Sequence, residues 1–372
     1  MLIPVVLAAA LMNAAMVAAS AVSAILIADD LGPALAGLPN TAGVLGTAAG
    51  AMLVGRWTGR IGRAQALRTG YGVGVAGGAL AVLAAVGMPI ALLFAGMFLL
   101  GVGNAASLLS RYAAADVVPP ARRARAMSTV VWASTVGAAG GPFLMAPSQS
   151  FALSFGLPAL AGPFLLALAA VFAALVASSY LRTAPAQAPV PAEVTSHGTG
   201  VLLPAAVMIV GQLVMVGLMT AVPVHAHHHG DGLGLLGLML SAHTLGMFAL
   251  SPLTGWCIDR FGARPVATAG LALLLASGVL ITQTGLLFTP ALFLLGYAWN
   301  LCYLAGSAQL STALESKVES SIWTISAAAT ASSPWLFTLG GFPLLSAFAC
   351  ALAAPLLVWT LRLRRVTMID AS

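Results

Sequence analysis

The chain has 372 residues, of which 60% are hydrophobic and only 6% charged, against about 25% charged in a soluble domain. That balance excludes a soluble globular protein, and the net charge of +6 is too evenly dispersed over short connections to mark a nucleic-acid binder. Cys257, Cys302 and Cys350 fall in or at the ends of apolar runs, with no disulfide framework or zinc spacing among them.

Several apolar runs approach the ~20 residues a helix needs to cross the hydrocarbon core. They are too long and too continuously apolar for barrel strands, so the spans are helices that satisfy their own backbone. Residues 2–28 form span 1; no basic residue precedes the run, and it is too long for a signal peptide. Spans 2 to 6 cover 40–54, 69–86, 90–114, 126–145 and 157–181. Residues 182–200 are a proline-rich linker. Spans 7 to 12 cover 201–224, 233–254, 266–283, 290–314, 322–339 and 342–361, and residues 362–372 form a tail. All fifteen basic residues lie on or around connections that follow even-numbered spans, or in the tail. Positive charge stays cytoplasmic, so both termini are expected in the cytoplasm and the protein in the inner membrane.

One turn occurs twice at a constant offset of 200 residues. Gly255-Trp-Cys-Ile-Asp259-Arg260-Phe-Gly262-Ala-Arg264 separates spans 8 and 9, and Gly55, Arg60 and Gly62 repeat three of its positions between spans 2 and 3. A charged, glycine-rich turn after the second span of each half predicts a duplicated bundle. The pattern resembles the signature loop of the major facilitator superfamily and its repeat in the second half, and the resemblance covers nearly the whole chain. It implies an all-α membrane protein of the major facilitator fold, with twelve transmembrane helices in two pseudo-symmetric six-helix halves. Those halves are 1–181 and 201–361, joined by the cytoplasmic linker 182–200. It further implies a secondary transporter working by alternating access. In the family this loop latches the halves on the cytoplasmic side, and by resemblance the role passes to Asp259, Arg260 and Arg264, with Gly255 and Gly262. In the first copy Gly59 replaces the aspartate, so only Arg60 and Gly62 carry over and the N-terminal latch is expected to be weakened or absent. The alternative is that these charges only fix topology.

Gly137-Ala-Ala-Gly-Gly141-Pro142 in span 5 resembles part of the glycine–proline motif of drug–proton antiporters. Met145 stands where that motif has a further glycine, and Met97 where the antiporter pattern has an arginine, so the drug-efflux branch is only loosely matched. Small-residue packing explains the glycines equally well. Asn13, Asn104, Gln212 and Asn300 sit one on each of spans 1, 4, 7 and 10, which line the central cavity in this fold. Polar groups in lipid face the bundle interior, so these four, with Trp299, are expected substrate contacts or hydrogen-bonded glue between helices. His225, His227, His228, His229 and Asp231 follow span 7 on the outer face and offer ligand types for zinc, nickel or copper. The other readings of that loop are a polar loop–helix junction and a pH-responsive gate.

No acidic residue lies near a span's middle. His243 is the one ionisable side chain there, and an unperturbed histidine titrates in the physiological range. It is expected to carry a coupling proton or to bond, neutral, to a neighbouring helix. The sequence therefore predicts a monomeric, non-enzymatic exporter of a small organic compound. Its partners are the small-molecule substrate, the lipid bilayer and protons, with no cofactor and no nucleic acid. Transport of a transition metal or metal chelate is the second reading, and a non-transporting membrane sensor the third.

Overall fold

A computed structural model of the chain describes residues 2–31, 37–181, 199–222, 233–283, 285–310 and 312–369. They form helices and no strand among the described residues. In the first half these are α1 Leu2–Leu31, α2 Leu38–Ile61, α3 Arg63–Ala85, α4 Ala91–Asp116, α5 Arg123–Ser154 and α6 Ala161–Ser179. After the linker come α7 Thr199–Thr220, α8 Leu233–Phe248, α9 Ser251–Phe261, α10 Ala263–Leu280 and α11 Phe288–Ser307. The run Thr312–Ile369 leaves helical geometry at Gly340 and Gly341, which divides it into α12 (312–339) and α13 (342–369). Eight described helices are by themselves long and apolar enough to cross a membrane. Because α8 and α9 together occupy span 8, these helices match the twelve predicted spans one for one, as an all-α membrane bundle.

Several helices run past the spans expected from the sequence, and at the signature turns and the start of α12 the physical reason is the same. Apolar runs mark only the part of a helix that lipid covers, whereas the helix continues into water. The signature turn is thus almost wholly helical. Its single non-helical residue is Gly62, at φ 82° and ψ 157°, and in the second copy Gly262, at φ 89° and ψ 160°. Such backbone favours glycine, which has no Cβ to clash. Likewise α12 begins at Thr312 rather than near residue 322, so Glu315 and Glu319 lie on its first turns.

Span 8 is interrupted between Phe248 and Ser251. Pro252 has no N–H to give the Phe248 carbonyl four residues back, and its ring crowds that carbonyl.

The chain forms two compact units. Unit 1 comprises Met1–Pro120, Thr129–Val190 and Thr312–Thr324; unit 2 comprises Ala121–Ser128, Pro191–Ser311 and Ile325–Ser372. Each unit thus includes the opening turns of a helix, α12 in unit 1 and α5 in unit 2, whose remainder belongs to the other. Within unit 1, α2 and α3 both pack on α4, and α1 packs on α4 and α6. Within unit 2, α7, α8 and α10 pack on α11. The repeat recurs in the closest approaches. A Cβ at Gly46 would overlap the Phe98 carbonyl, and one at Gly246 the Phe293 carbonyl. Glycine at these sites lets α2 and α4, and likewise α8 and α11, meet backbone to backbone.

Candidate functional site

In unit 2 the last turns of α9 meet the start of α5. The Asp259 carboxylate accepts hydrogen bonds from the Ala124 and Arg125 amides, each at 3.2 Å. First-turn amides have no partner within their own helix, and the positive end of the helix dipole favours an anion there. Arg125 Nε lies 3.3 Å from the same carboxylate, but Arg125 is 48% exposed while Asp259 is 5% exposed. The two amides therefore supply most of the contact, since an exposed ion pair adds little. One turn earlier, a Cβ at Gly255 would overlap the Ser128 side chain and approach the Ala124 carbonyl at 2.9 Å. Glycine is what allows α9 to lie against α5.

Asp259, Gly255 and Gly262 therefore stand together at this junction. Arg60, Arg260 and Arg264 are exposed, and among the described residues no ion pair joins them to a carboxylate. The arginine beside Asp259 is Arg125, which sequence reading counted only for topology.

Unit 1 holds the start of α12 by different chemistry. Gly55 repeats the role of Gly255, for a Cβ there would overlap the Ser316 side chain. No carboxylate exists at Gly59, yet the junction is not bare. Arg63 reaches Asp116 through Nε at 2.8 Å and Glu315 through Nη1 at 2.8 Å. Arg111 pairs with Glu319, both 1% exposed, and also donates to the Leu108 carbonyl at 2.7 Å and the Tyr112 hydroxyl at 2.9 Å. Ion pairs thus occupy the place where a missing aspartate had led to the expectation of a weakened contact. Burial pushes the Glu315 carboxyl above the ordinary glutamate range; Arg63 pulls it down, and nearby Asp116 pushes it up. One sequence signal pointed here: Arg111 stands inside an apolar stretch rather than beyond its end.

The polar residues within spans divide into two kinds. Trp299 Nε1 donates to Gln212 Oε1 at 2.6 Å, and Gln212 Nε2 donates to Ser326 Oγ at 2.8 Å. This chain links α11, α7 and α12 inside unit 2. The Trp299 ring stacks on Tyr303, centroids 4.7 Å apart and planes inclined by 17°, and meets Phe248 edge-on at 6.1 Å. Asn300, by contrast, is spent on the break in span 8. Its amide nitrogen donates to the Met247 carbonyl and to Ser251 Oγ, both at 2.7 Å, and its oxygen accepts from Thr254 Oγ1 at 2.7 Å. Its amide group is thus hydrogen-bonded across α8, α9 and α11. In unit 1, Asn104 donates to Thr47 Oγ1 at 3.4 Å, and Asn13 is half-buried on α1.

His243 is buried on α8, with Nδ1 3.0 Å from the Leu292 carbonyl of α11. Its Nε2 is buried and has no hydrogen-bond partner among the described residues. Gly137 lets α5 approach the Ala10 carbonyl of α1, as small-residue packing requires. The histidine loop, His225 to Asp231, lies outside the described residues. Between α7, α12 and α13 unit 2 also has an apolar cleft of about 180 Å³ lined by Leu213, Gly217, Ala329, Leu336 and Phe348.

The family description "Major Facilitator Superfamily" matches residues 5–316. The uncharacterized MFS-type transporter YdeG of Bacillus subtilis (strain 168) is 35% identical over 336 residues, covering 83% of this chain and 78% of the relative. The riboflavin transporter RfnT of Brucella anthropi is 31% identical over 307 residues, covering 75% and 72%. In fold, the human organic anion transporter MFSD10 superposes with a TM-score of 0.72 at 16% identity, over 96% of this chain and 98% of that one. The proton:xylose symporter XylE gives 0.73 at 13% identity, over 97% and 95%. Family match, relatives and fold agree with the duplicated glycine turn, and the chain belongs to the Major Facilitator Superfamily.

Proposed function

We propose that this chain is a secondary transporter that exports a small organic compound across the plasma membrane by alternating access. The observation that carries the substrate side is the Trp299–Gln212–Ser326 chain, a buried run of polar groups across three helices of unit 2. A polar chain in a bundle interior offers hydrogen bonds that a solute can take over, and the Trp299–Tyr303 stack beside it suits a flat ring. The relative named as a riboflavin transporter makes riboflavin the first probe.

The gate in this reading is the pair of held helix starts. Asp259 capping α5, and the ion pairs holding α12, form on the side that the basic residues assign to the cytoplasm. They release when the transporter opens inward. Both termini then lie in the cytoplasm, which reporter fusions after Leu181 and Ser372 check; a periplasmic signal from either would reverse the orientation.

The functional test uses proteoliposomes loaded with riboflavin or with members of a panel of aromatic dyes. Protein-dependent flux of one of them, reduced in Gln212→Leu while folding is retained, supports the reading. That substitution takes away the acceptor of the Trp299 N–H and the amide that donates to Ser326 Oγ. Full flux in the variant would remove the polar chain from substrate handling.

A further inference from the structure

We propose that the apolar cleft between α7, α12 and α13 binds one phospholipid acyl chain, which braces α7 against α12 beside the Trp299–Gln212–Ser326 chain. The site adds to the transporter reading above and requires only that the protein spans a membrane.

The shape of the cleft selects a hydrocarbon chain. On α12 its lining falls at Ala329, Ser332, Ser333 and Leu336, the spacing of one helix face over two turns. On α13 the same spacing runs from Leu345 to Leu352, and α7 contributes the stretch from Leu213 to Leu218. Two turns rise about 10 Å, so the cleft is a slot running along the helices, as acyl chains do in a bilayer. Its volume is about 180 Å³; an apolar cavity of ~150 Å³ stays dry and takes up benzene.

The slot has a closed floor and an open mouth. A Cβ at Gly217 would meet no atom within 4 Å, so the absent side chain there is what opens the slot along α7. Val214, Leu218, Ala329, Ser333 and Ala349 are buried in the floor, while Ser332, Phe348 and Leu352 are exposed at the mouth.

Nothing in the lining asks for a polar occupant. Ser333 Oγ donates to the Gly217 carbonyl, and Ser332 Oγ to the Ala328 carbonyl at 2.9 Å. No charged residue occurs from 201 to 224 or from 320 to 361, so the slot lies at hydrocarbon depth in its spans. An empty slot would forfeit the contacts of its lining, and the medium at its mouth is lipid hydrocarbon.

The position of the slot connects it to the polar chain. Leu213 follows Gln212, and Ala329 lies one turn beyond Ser326, so the 2.8 Å bond from Gln212 to Ser326 joins α7 to α12 at one end of the slot. A seated acyl chain packs against both helices there and holds them at the spacing that this bond needs.

The test uses the full chain in nanodiscs of phosphatidylethanolamine and phosphatidylglycerol. A trace of the phosphatidylglycerol carries a photoactivatable diazirine midway along one acyl chain, and crosslinks are mapped by mass spectrometry after irradiation. Wild type should be labelled on the buried floor, at Val214, Leu218 and Ala329, as well as at exposed Phe172 of α6. Gly217→Leu fills the slot and Ser332→Phe covers its mouth. Each should reduce floor labelling severalfold and leave Phe172 labelled, and either one that melts like wild type suffices. An unlabelled floor in wild type, as when a second copy of the chain covers the slot, overturns the proposal. Floor labelling that persists in a folded variant overturns it too. Displacement of the probe lipid from the floor by a dye of the panel, with Phe172 still labelled, would give the slot to the substrate instead. Bracing has its own readout. Delipidated wild type in detergent should melt at a lower temperature and recover with added phosphatidylglycerol, whereas Gly217→Leu, with its own side chain in the slot, should respond far less. Equal responses would overturn the brace. Neither readout uses flux, so a wild type that moves no solute would overturn the transporter reading and leave the lipid site standing.

Discussion

Asp259→Asn tests the capped start of α5 with the smallest possible change in shape. The carboxylate accepts two amide hydrogen bonds, from Ala124 and Arg125, and is almost fully buried. Asparagine keeps one acceptor oxygen and turns an NH2 toward the second amide. One charge-assisted hydrogen bond is lost, together with the favourable charge at the helix N-terminus. A hydrogen bond to a charged group contributes about 1.5–3 kcal/mol, and the terminal charge about 0.3–1 kcal/mol. Arg125 is largely exposed and adds little to this. A loss of about 2 kcal/mol shifts the capped-to-open equilibrium roughly 30-fold. The assay is amide hydrogen exchange by mass spectrometry on peptides spanning 121–128, with the protein in nanodiscs. Exchange in that segment should accelerate by roughly that factor, while peptides from α3 and α10 stay as in wild type. Unchanged exchange at 121–128 would refute the idea that Asp259 holds this helix start.

Three further outcomes follow from single contacts. Gly55→Ala puts a Cβ into the Ser316 side chain and should unseat α12, whereas the double variant Gly55→Ala/Ser316→Gly leaves only Ser316 Cα at 3.7 Å and should restore it, read by protease nicking near residue 312. Glu319→Gln removes one half of a buried ion pair and should cost about 3–5 kcal/mol, whereas Arg111→Met/Glu319→Leu should cost far less, as thermal unfolding in detergent reports. Asn300→Leu removes the donor to the Met247 carbonyl at the break in span 8 and should cost about 1–3 kcal/mol; an unchanged melting temperature would mean that Asn300 does not hold the break.

The bundle was legible because lipid imposes one solution, long apolar helices with charges at their ends. The turn repeated at a 200-residue offset fixed the duplication as well, and the structure repeats it in Gly62 and Gly262 with nearly the same backbone angles. Asp259 was legible in kind, since a carboxylate at a helix end seeks orphan amides, but not in partner, because nothing local to residue 259 names Ala124. Glu315 and Glu319 fall between the predicted spans 10 and 11 because hydropathy stops where lipid stops, whereas α12 begins ten residues earlier, at Thr312. Arg260 and Arg264 were assigned to the gate by motif position, and the structure leaves them exposed. The bonds of Asn300 were not legible, because Pro252, on another helix, creates the broken backbone that it meets.

The most direct measurement is flux itself, made on wild type and Asp259→Asn in parallel proteoliposomes with riboflavin and the dye panel. The account predicts protein-dependent movement of at least one of these compounds, with the rate falling severalfold in the variant at equal folded protein. No movement of any of them by well-folded wild type, or equal rates in the two proteins, would contradict it.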